Sequence, residues 1–239
     1  MTTSVLNDPS LEALLAQLHA QSDRQIETVD AYESDASRPR SDAEEKAFLS
    51  DKLVALDRDK AEFCYLLCRA LGATRIVEAG TSYGVSTLYL AAAVRDNVRA
   101  SGGSGIVIGT EHEPAKAEAA RANVAAARLA PFIDLREGDL RETLRDVGGP
   151  IDFMLVDIWI PMARPALELV APRLRAGAVV ICDNTAAYRE AYRDYFAFIG
   201  RQGARFRTTT LPFRGGLEMT VCCADGLDAR RASREASRP

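Results

Sequence analysis

The spacing of apolar residues changes along the chain. In the N-terminal part it is helical, with Leu11, Leu14, Leu15 and Leu18 on one face of a predicted helix. From about residue 75 onwards, short apolar runs that end in polar or glycine residues alternate with longer helical segments. Strands that alternate with helices indicate a doubly wound, mostly parallel sheet. The sequence therefore predicts an α/β, Rossmann-like fold preceded by N-terminal helices.

The predicted elements divide the chain into three parts. Residues 1–57 are expected to form a helical segment that acts as a cap, substrate lid or dimerisation element. Residues 58–223 form the α/β domain, which ends in an antiparallel hairpin, and residues 224–239 form a disordered tail. The predicted helices cover 1–30, 44–56, 58–71, 84–94, 114–129, 163–174 and 186–199. The predicted strands cover 75–80, 105–111, 132–139, 151–157, 178–184, 206–213 and 216–223, and residues 31–43 form a loop.

Composition excludes several classes of protein. Among 239 residues, 30 are basic and 34 acidic, so the net charge of −4 gives no sign of a nucleic-acid-binding surface. The start of the chain is polar and no apolar run reaches the roughly 18 residues of a membrane span, so we expect a cytoplasmic protein. Five cysteines are expected to be reduced packing residues. With two histidines, a histidine-rich metal site or a Ser-His-Asp triad is hard to assemble.

A glycine turn follows the first predicted strand. Ligands of doubly wound sheets bind at the carboxyl ends of the strands. Here the strand ends at Glu78, and Gly80, Gly84 and Ser86 follow in a G-x-x-x-G spacing. That spacing differs from the G-x-G-x-x-G of dinucleotide sites. It suits the cofactor S-adenosylmethionine (SAM), because a helix N-terminus and Ser86 can hold its carboxylate while Glu78 attracts its ammonium group. An ordinary strand-to-helix turn is the alternative.

Two further acids close the next two predicted strands. Glu111 can accept hydrogen bonds from both ribose hydroxyls, and His112, which follows it, is a further candidate for cofactor binding. Asp139 can accept one from the amino group of adenine. Each acid could instead cap a helix or be solvated. Together with Glu78 they place an acid at three successive strand ends, which favours a SAM site.

Oxygen-bearing side chains follow the fourth and fifth predicted strands. Asp157 ends the former, and Asp183 and Asn184 end the latter. Two carboxylates and an amide oxygen suit Mg²⁺ or a similar divalent cation. A metal there polarises a substrate hydroxyl and favours the oxyanion that attacks the sulfonium methyl group. Helix capping at the strand end is the alternative.

At these residues the sequence resembles the SAM-dependent O-methyltransferases of the catechol and caffeoyl-CoA type. The resemblance covers about residues 58–223. It implies that Glu78, Gly80, Ser86 and Glu111 bind the cofactor and that Asp157, Asp183 and Asn184 bind the metal. By the same resemblance Tyr83 packs on the cofactor, Trp159 lies beside the adenine, and the Asp59-Lys60 pair stands at the family's distance from Glu78.

The resemblance also raises two questions about catalysis. It places Glu218 where catechol enzymes have a glutamate that contacts the second acceptor hydroxyl, so Asp157 and Glu218 are the predicted catalytic residues. Glu218 could also be a strand residue that points to solvent. The family usually has a general-base lysine three residues after the first metal aspartate, whereas this chain has Ile160. Loss of a general base costs roughly 10²–10⁴-fold in rate unless another group replaces it.

The predicted function is metal-assisted transfer of a methyl group from SAM to a hydroxyl of a small acceptor, with S-adenosylhomocysteine (SAH) as product. A phenolic or catechol-like acceptor and a possible homodimer are implied only by the resemblance. The alternatives are a metal-independent SAM methyltransferase that acts on another oxygen, a nitrogen or a carboxyl group, and a non-catalytic SAM-binding protein. An NAD-dependent oxidoreductase is disfavoured by the glycine spacing. Thermal stabilisation by SAH but not by NAD would distinguish the three SAM-binding hypotheses from the NAD-dependent oxidoreductase.

Overall fold

The computed structural model describes residues 5–35 and 41–223, so the predicted tail lies outside the described residues. The helices are α1 (Pro9–Ser34), α2 (Asp42–Leu49), α3 (Arg58–Leu71), α4 (Val85–Ser101), α5 (Pro114–Ala126), α6 (Leu140–Thr143), α7 (Ala163–Val170) and α8 (Arg193–Arg201). The strands are β1 (Arg75–Ala79), β2 (Ile106–Glu111), β3 (Ile133–Glu137), β4 (Ile151–Val156), β5 (Leu174–Asp183), β6 (Phe206–Leu211) and β7 (Leu217–Cys222).

All seven strands form one sheet in the order β3-β2-β1-β4-β5-β7-β6. The first five strands are parallel, and β7 is antiparallel to both of its neighbours. The predicted Rossmann-like sheet with an antiparallel C-terminal hairpin is therefore confirmed. Because the parallel strands all end at one edge, the polar residues that follow β1, β2, β4 and β5 meet there.

Helices cover both faces of the sheet. Ile76, Phe153 and Leu155 belong to a core on the face covered by α3 and α4. Their neighbours Val77 and Met154 belong to the core on the other face, which α7 and α8 cover. Successive residues of a strand point to opposite faces, and strands buried on both faces are continuously apolar. This explains why β1 and β4 appear in the sequence as unbroken apolar runs.

The N-terminal segment packs against its own domain. Leu11, Leu15 and Leu18 of α1 are buried in the core on the α3/α4 face, and Leu14 packs partly against it. The leucine face of the predicted helix therefore packs within the domain. The described part of the chain has no helix with the length and apolar character needed to cross a membrane.

Several predicted helices have wrong bounds. The second ends at Leu49 rather than at residue 56. There the Leu53 N–H donates to the Gln25 side chain at 2.8 Å and the Ala55 N–H to the Ser22 hydroxyl at 3.0 Å, so bonds to α1 replace helical ones. The predicted helix 186–199 begins only at Arg193. The residues before it form turns.

Other helix and strand ends differ from the prediction as well. Helix α1 continues to Ser34, into the predicted loop, and α4 continues to Ser101. Strand β5 begins at Leu174. The helix predicted over 163–174 stops at Val170, and a short 3₁₀ helix that contains Pro172 follows it. Proline fits the first turn of a new helix but cannot donate a hydrogen bond inside one.

Candidate functional site

The ends of the central parallel strands remain bonded to one another beyond the sheet itself. The Thr81 N–H donates to the Thr110 carbonyl at 3.0 Å, and the Asp157 N–H donates to the Ala79 carbonyl at 3.0 Å. The turn after β1 is therefore held between the ends of β2 and β4, which gives the carboxyl edge a fixed shape.

Gly80 permits the closest approach in this turn. Its φ is +97°, and a Cβ atom placed on it would lie 1.9 Å from the Asp157 carbonyl oxygen. Gly84 has a φ of +84° and is the N-cap of α4, and a Cβ atom on it would lie 3.4 Å from Ala120. Only glycine adopts such backbone angles without strain. Both glycines of the predicted motif are therefore required by backbone geometry.

Glu78 lies beneath this turn and is fully buried. Its carboxylate accepts hydrogen bonds from the Ser86 hydroxyl at 2.7 Å, from the Thr81 hydroxyl at 3.0 Å and from the Thr87 hydroxyl. Burial raises the pKa of Glu78, and the three hydroxyl donors oppose that rise. Ser86 thus touches Glu78, the other residue assigned to the methionine part of SAM.

The sequence analysis did not identify Thr81 and Thr87 as partners of Glu78, nor the space that Gly109 leaves for Thr81. A Cβ atom at Gly109, in the middle of β2, would lie 2.4 Å from the Thr81 hydroxyl. A glycine inside a strand marks a place where another group approaches closely, so this signal is present in the sequence.

Glu111 is held by backbone donors. Its carboxylate accepts from the N–H groups of Ser82 at 2.7 Å, His112 at 2.7 Å and Glu113 at 2.8 Å. These bonds join the turn after β1 to the end of β2 and fix the direction of the side chain. Two carboxylate oxygens have about four acceptor positions in total, so one remains for a ligand hydroxyl. The His112 residue itself is exposed.

The remaining predicted cofactor residues lie around the same edge. Asp139 caps α6 and forms an ion pair with Arg141, which holds the pKa of Asp139 at about 2. The Tyr83 hydroxyl donates to the Asp51 carbonyl at 3.1 Å. Trp159 is half-buried at the start of a short 3₁₀ helix that follows Asp157. Their contacts with a cofactor stay predictions.

Asp157 and Asp183 are brought together at the ends of β4 and β5. Burial raises the pKa of Asp157 well above its usual value, and the charge of Asp183 raises it further. Burial also raises the pKa of Asp183. Asn184 follows with a left-handed φ of +58°, a conformation that asparagine tolerates. A Cβ atom at Gly215 would lie 2.5 Å from the Asn184 side-chain oxygen, so glycine leaves room for that amide.

A buried lysine completes this cluster. The Lys60 side chain is 2% exposed, and its Nζ atom lies 2.8 Å from Asp183 Oδ1 and 3.0 Å from Asp57 Oδ2. Burial alone would lower the pKa of Lys60, but the two carboxylates outweigh it and raise the pKa. Asp57 also pairs with Arg214 at 2.8 Å. The sequence singles out Lys60 only by its distance from Glu78 and does not predict its contact with Asp183.

The donor set is compatible with a divalent cation but small. Among the described residues, no three histidine, cysteine, aspartate or glutamate side chains are grouped to hold a metal ion. The predicted site has two carboxylates and depends on the Asn184 amide for a third protein ligand. Asp157 has no ion pair within the described ranges, and Asp183 Oδ1 is buried without an aligned hydrogen bond. Two neighbouring acids with one ammonium group leave negative charge that a cation can neutralise.

Glu218 does not join this cluster. It is 2% exposed within β7 and pairs in register with Cys182 of β5. Cross-strand partners share a face, and successive residues alternate, so Glu218 lies on the face opposite to Asp183. Its carboxylate accepts hydrogen bonds from the hydroxyls of Thr208 and Thr210 on β6. We therefore do not expect Glu218 to touch an acceptor bound beside Asp183.

Ile160 likewise offers no catalytic group. It is half-buried and packs against the core on the α7/α8 face. The place of the family's lysine is thus taken by an apolar packing residue.

Comparison with known proteins independently supports the resemblance to methyltransferases. A family model described as a methyltransferase domain matches residues 77–185. A catechol O-methyltransferase from Mycobacterium tuberculosis is 32% identical over 132 residues, which cover 55% of this chain and 57% of that protein. A catechol O-methyltransferase from Niastella koreensis is 23% identical over 209 residues, 86% of this chain and 90% of that protein. The matched segment thus spans little more than half of the mycobacterial relative.

The fold is also shared with solved structures. An O-methyltransferase from Bacillus cereus in complex with SAH superposes with a TM-score of 0.64 at 24% identity, over 82% of this chain and 97% of that one. At this identity the likeness concerns the fold. The family model and the sequence relatives confirm the resemblance: residues 77–185 match a methyltransferase domain, and the chain is similar to catechol O-methyltransferases.

Proposed function

We propose that this protein transfers the methyl group of SAM to a hydroxyl of a small phenolic or catechol-like acceptor, assisted by a divalent cation at Asp157, Asp183 and Asn184. The observation that carries the proposal is the meeting of two acids, half-buried Asp157 and buried Asp183, at neighbouring strand ends beside the Glu78 turn. A cofactor held by that turn would lie next to these acids, because the Asp157 N–H donates to the Ala79 carbonyl at 3.0 Å. The names of the catechol O-methyltransferase relatives support the acceptor class.

The chain's own residues would prepare the reaction by binding and orientation. Glu78 faces the ammonium group of SAM, the N-terminus of α4 its carboxylate, and Glu111 the ribose. In the reaction the acceptor hydroxyl gives its proton to water, and its oxygen attacks the methyl carbon in line with the carbon–sulfur bond. The carbon–sulfur bond breaks as the oxygen–carbon bond forms, and its electron pair stays on sulfur to give SAH. Holding SAM and the acceptor in the reactive orientation can lower the activation barrier by about 7–11 kcal/mol.

A bound divalent cation would supply charge that favours the deprotonated acceptor oxygen. Asp157 and Asp183 would hold it with their carboxylates, and Asn184 with its amide oxygen. Since Ile160 replaces the family's lysine, the acceptor proton has no nearby amine on that loop to receive it. A phenol, whose pKa is near 10, depends less on a general base than an aliphatic alcohol does, because it gives up its proton more readily.

A second candidate is metal-independent methylation. The observation in its favour is the Lys60 ammonium group, which already lies 2.8 Å from Asp183. In that case Lys60 supplies the positive charge of the site, and Asp57 and Asp183 hold the lysine in place.

The test is SAM turnover on a panel of catechols and phenols, with Mg²⁺ and with EDTA. We expect turnover that needs the metal and falls by about 10²-fold or more in Asp157→Asn. The matched control is Asp134→Asn, which removes an exposed acid of β3 that pairs with Arg136. Thermal stabilisation by SAH, measured in parallel, separates loss of cofactor binding from loss of chemistry. Turnover indifferent to EDTA would refute metal assistance and leave the second candidate.

A further inference from the structure

Lys60 is an unusual neighbour for a metal site. It enters from the first turns of α3, and its side chain is almost completely buried. Burial of an ammonium group is costly unless carboxylates surround it. Here two do, Asp183 at 2.8 Å and Asp57 at 3.0 Å, so the lysine is held in the cluster by its charge.

The lysine and a divalent cation need the same ligand. Asp183 is the only predicted metal ligand that an ion pair engages within the described residues. Asp157, its partner across the site, has no ion pair there and lies close enough for Lys60 to lower its pKa. A cation bound between these acids would therefore lie near an ammonium group of like charge.

We propose that Lys60 acts as a placeholder cation: its ammonium group neutralises Asp183 when no metal is bound and competes with a divalent cation for that carboxylate. The inference rests on the proposed function. It predicts a site that keeps its shape without metal and binds metal more weakly than its carboxylates alone would. Asp57 serves as the second carboxylate to which the lysine is attached, and Arg214 neutralises Asp57 in turn.

The test compares the affinity for Mn²⁺, and then for Mg²⁺, of the wild-type protein, Lys60→Met and Lys46→Met, measured by calorimetry without acceptor. Lys46→Met is the matched control, because Lys46 is 45% exposed and pairs with Glu113 outside the cluster. We expect Lys60→Met to bind Mn²⁺ about tenfold more tightly or better, because the like-charged ammonium group no longer repels the cation or occupies Asp183. The control should stay within about twofold of the wild type.

Equal or weaker binding of Mn²⁺ by folded Lys60→Met would overturn the placeholder role and leave metal-assisted methylation intact. Binding by neither protein, with SAH still bound, would refute metal assistance and the placeholder role together. Because loss of a buried ammonium group can destabilise the fold, the wild-type protein provides a second readout. The ¹⁵Nζ resonance of Lys60 should shift as Mg²⁺ is added and saturate at the calorimetric affinity, and a resonance unmoved by saturating Mg²⁺ would overturn the inference.

Discussion

Replacement of Gly80 by alanine tests the geometry on which the cofactor site depends. Gly80 has a φ of +97°, so an alanine there is strained by about 1–3 kcal/mol. Its Cβ atom would also lie 1.9 Å from the Asp157 carbonyl oxygen, a backbone atom that cannot turn aside. Forcing an extra carbon into a packed site costs about 1–3 kcal/mol more. The total loss in free energy of unfolding is therefore about 2–6 kcal/mol.

The control is Gly103→Ala. Gly103 has a φ of +86°, close to that of Gly80, but a Cβ atom there meets nothing within 4 Å. The control thus measures backbone strain alone, and the difference between the two variants measures the collision, about 1–3 kcal/mol. In a protein of this size each kcal/mol lowers Tm by about 2–4 °C.

The assays are urea unfolding and SAH titration. Gly80→Ala should lose SAH affinity by about tenfold or more, because the turn moves away from both Glu78 and Asp157. Gly103→Ala should bind SAH as the wild type does. If both variants lose the same stability and Gly80→Ala keeps its SAH affinity, the close approach of the first and fourth strand ends does not shape the cofactor site.

Three further changes have expected outcomes of different kinds. Glu218→Gln should keep turnover within about threefold of the wild type, because the residue faces away from the cluster, and a loss comparable to that of Asp157→Asn would show otherwise. Gly109→Ala should displace the Thr81 hydroxyl from Glu78 and cost about 1–3 kcal/mol, seen in thermal unfolding with weaker SAH binding. Asp152→Ala should cost about 1.5–3 kcal/mol at pH 7, since one guanidinium and two backbone N–H groups lose their acceptor. Burial would raise the pKa of Asp152, but these donors hold the pKa below its usual value. The loss in free energy of unfolding relative to the wild type should therefore be complete above about pH 4, and it should shrink as the pH falls through the pKa of Asp152 in the folded protein.

The sheet can be predicted because its signals are local. Apolar runs that stop at an acid or a glycine mark the strand ends, and the parallel arrangement brings those ends to one edge. The pattern of strand ends alone therefore predicts that Asp157 and Asp183 meet, as they do. Both glycines of the turn are identifiable for the same reason.

The errors arise where distant parts of the chain decide the outcome. Helix α2 ends early because residues of α1 offer hydrogen bonds to the backbone that follows it. The face on which Glu218 points is set by its register with Cys182, and a shift of one residue would reverse it. The burial of Lys60 depends on two acids, and one of them, Asp183, is far away in the sequence. Periodicity and motif spacing contain none of this information.

The position of β7 between β5 and β6 has a consequence for synthesis of the chain. The strands that carry Glu78, Glu111 and Asp157 are complete once residue 157 has been made. β5, which carries Asp183, lacks its outer neighbour until residues 217–222 have followed. During that interval a nascent chain would expose an apolar strand edge, the kind of surface that promotes mispairing. The proposed cofactor site can thus form during translation, whereas the proposed metal site, which includes Asp183, must await β7.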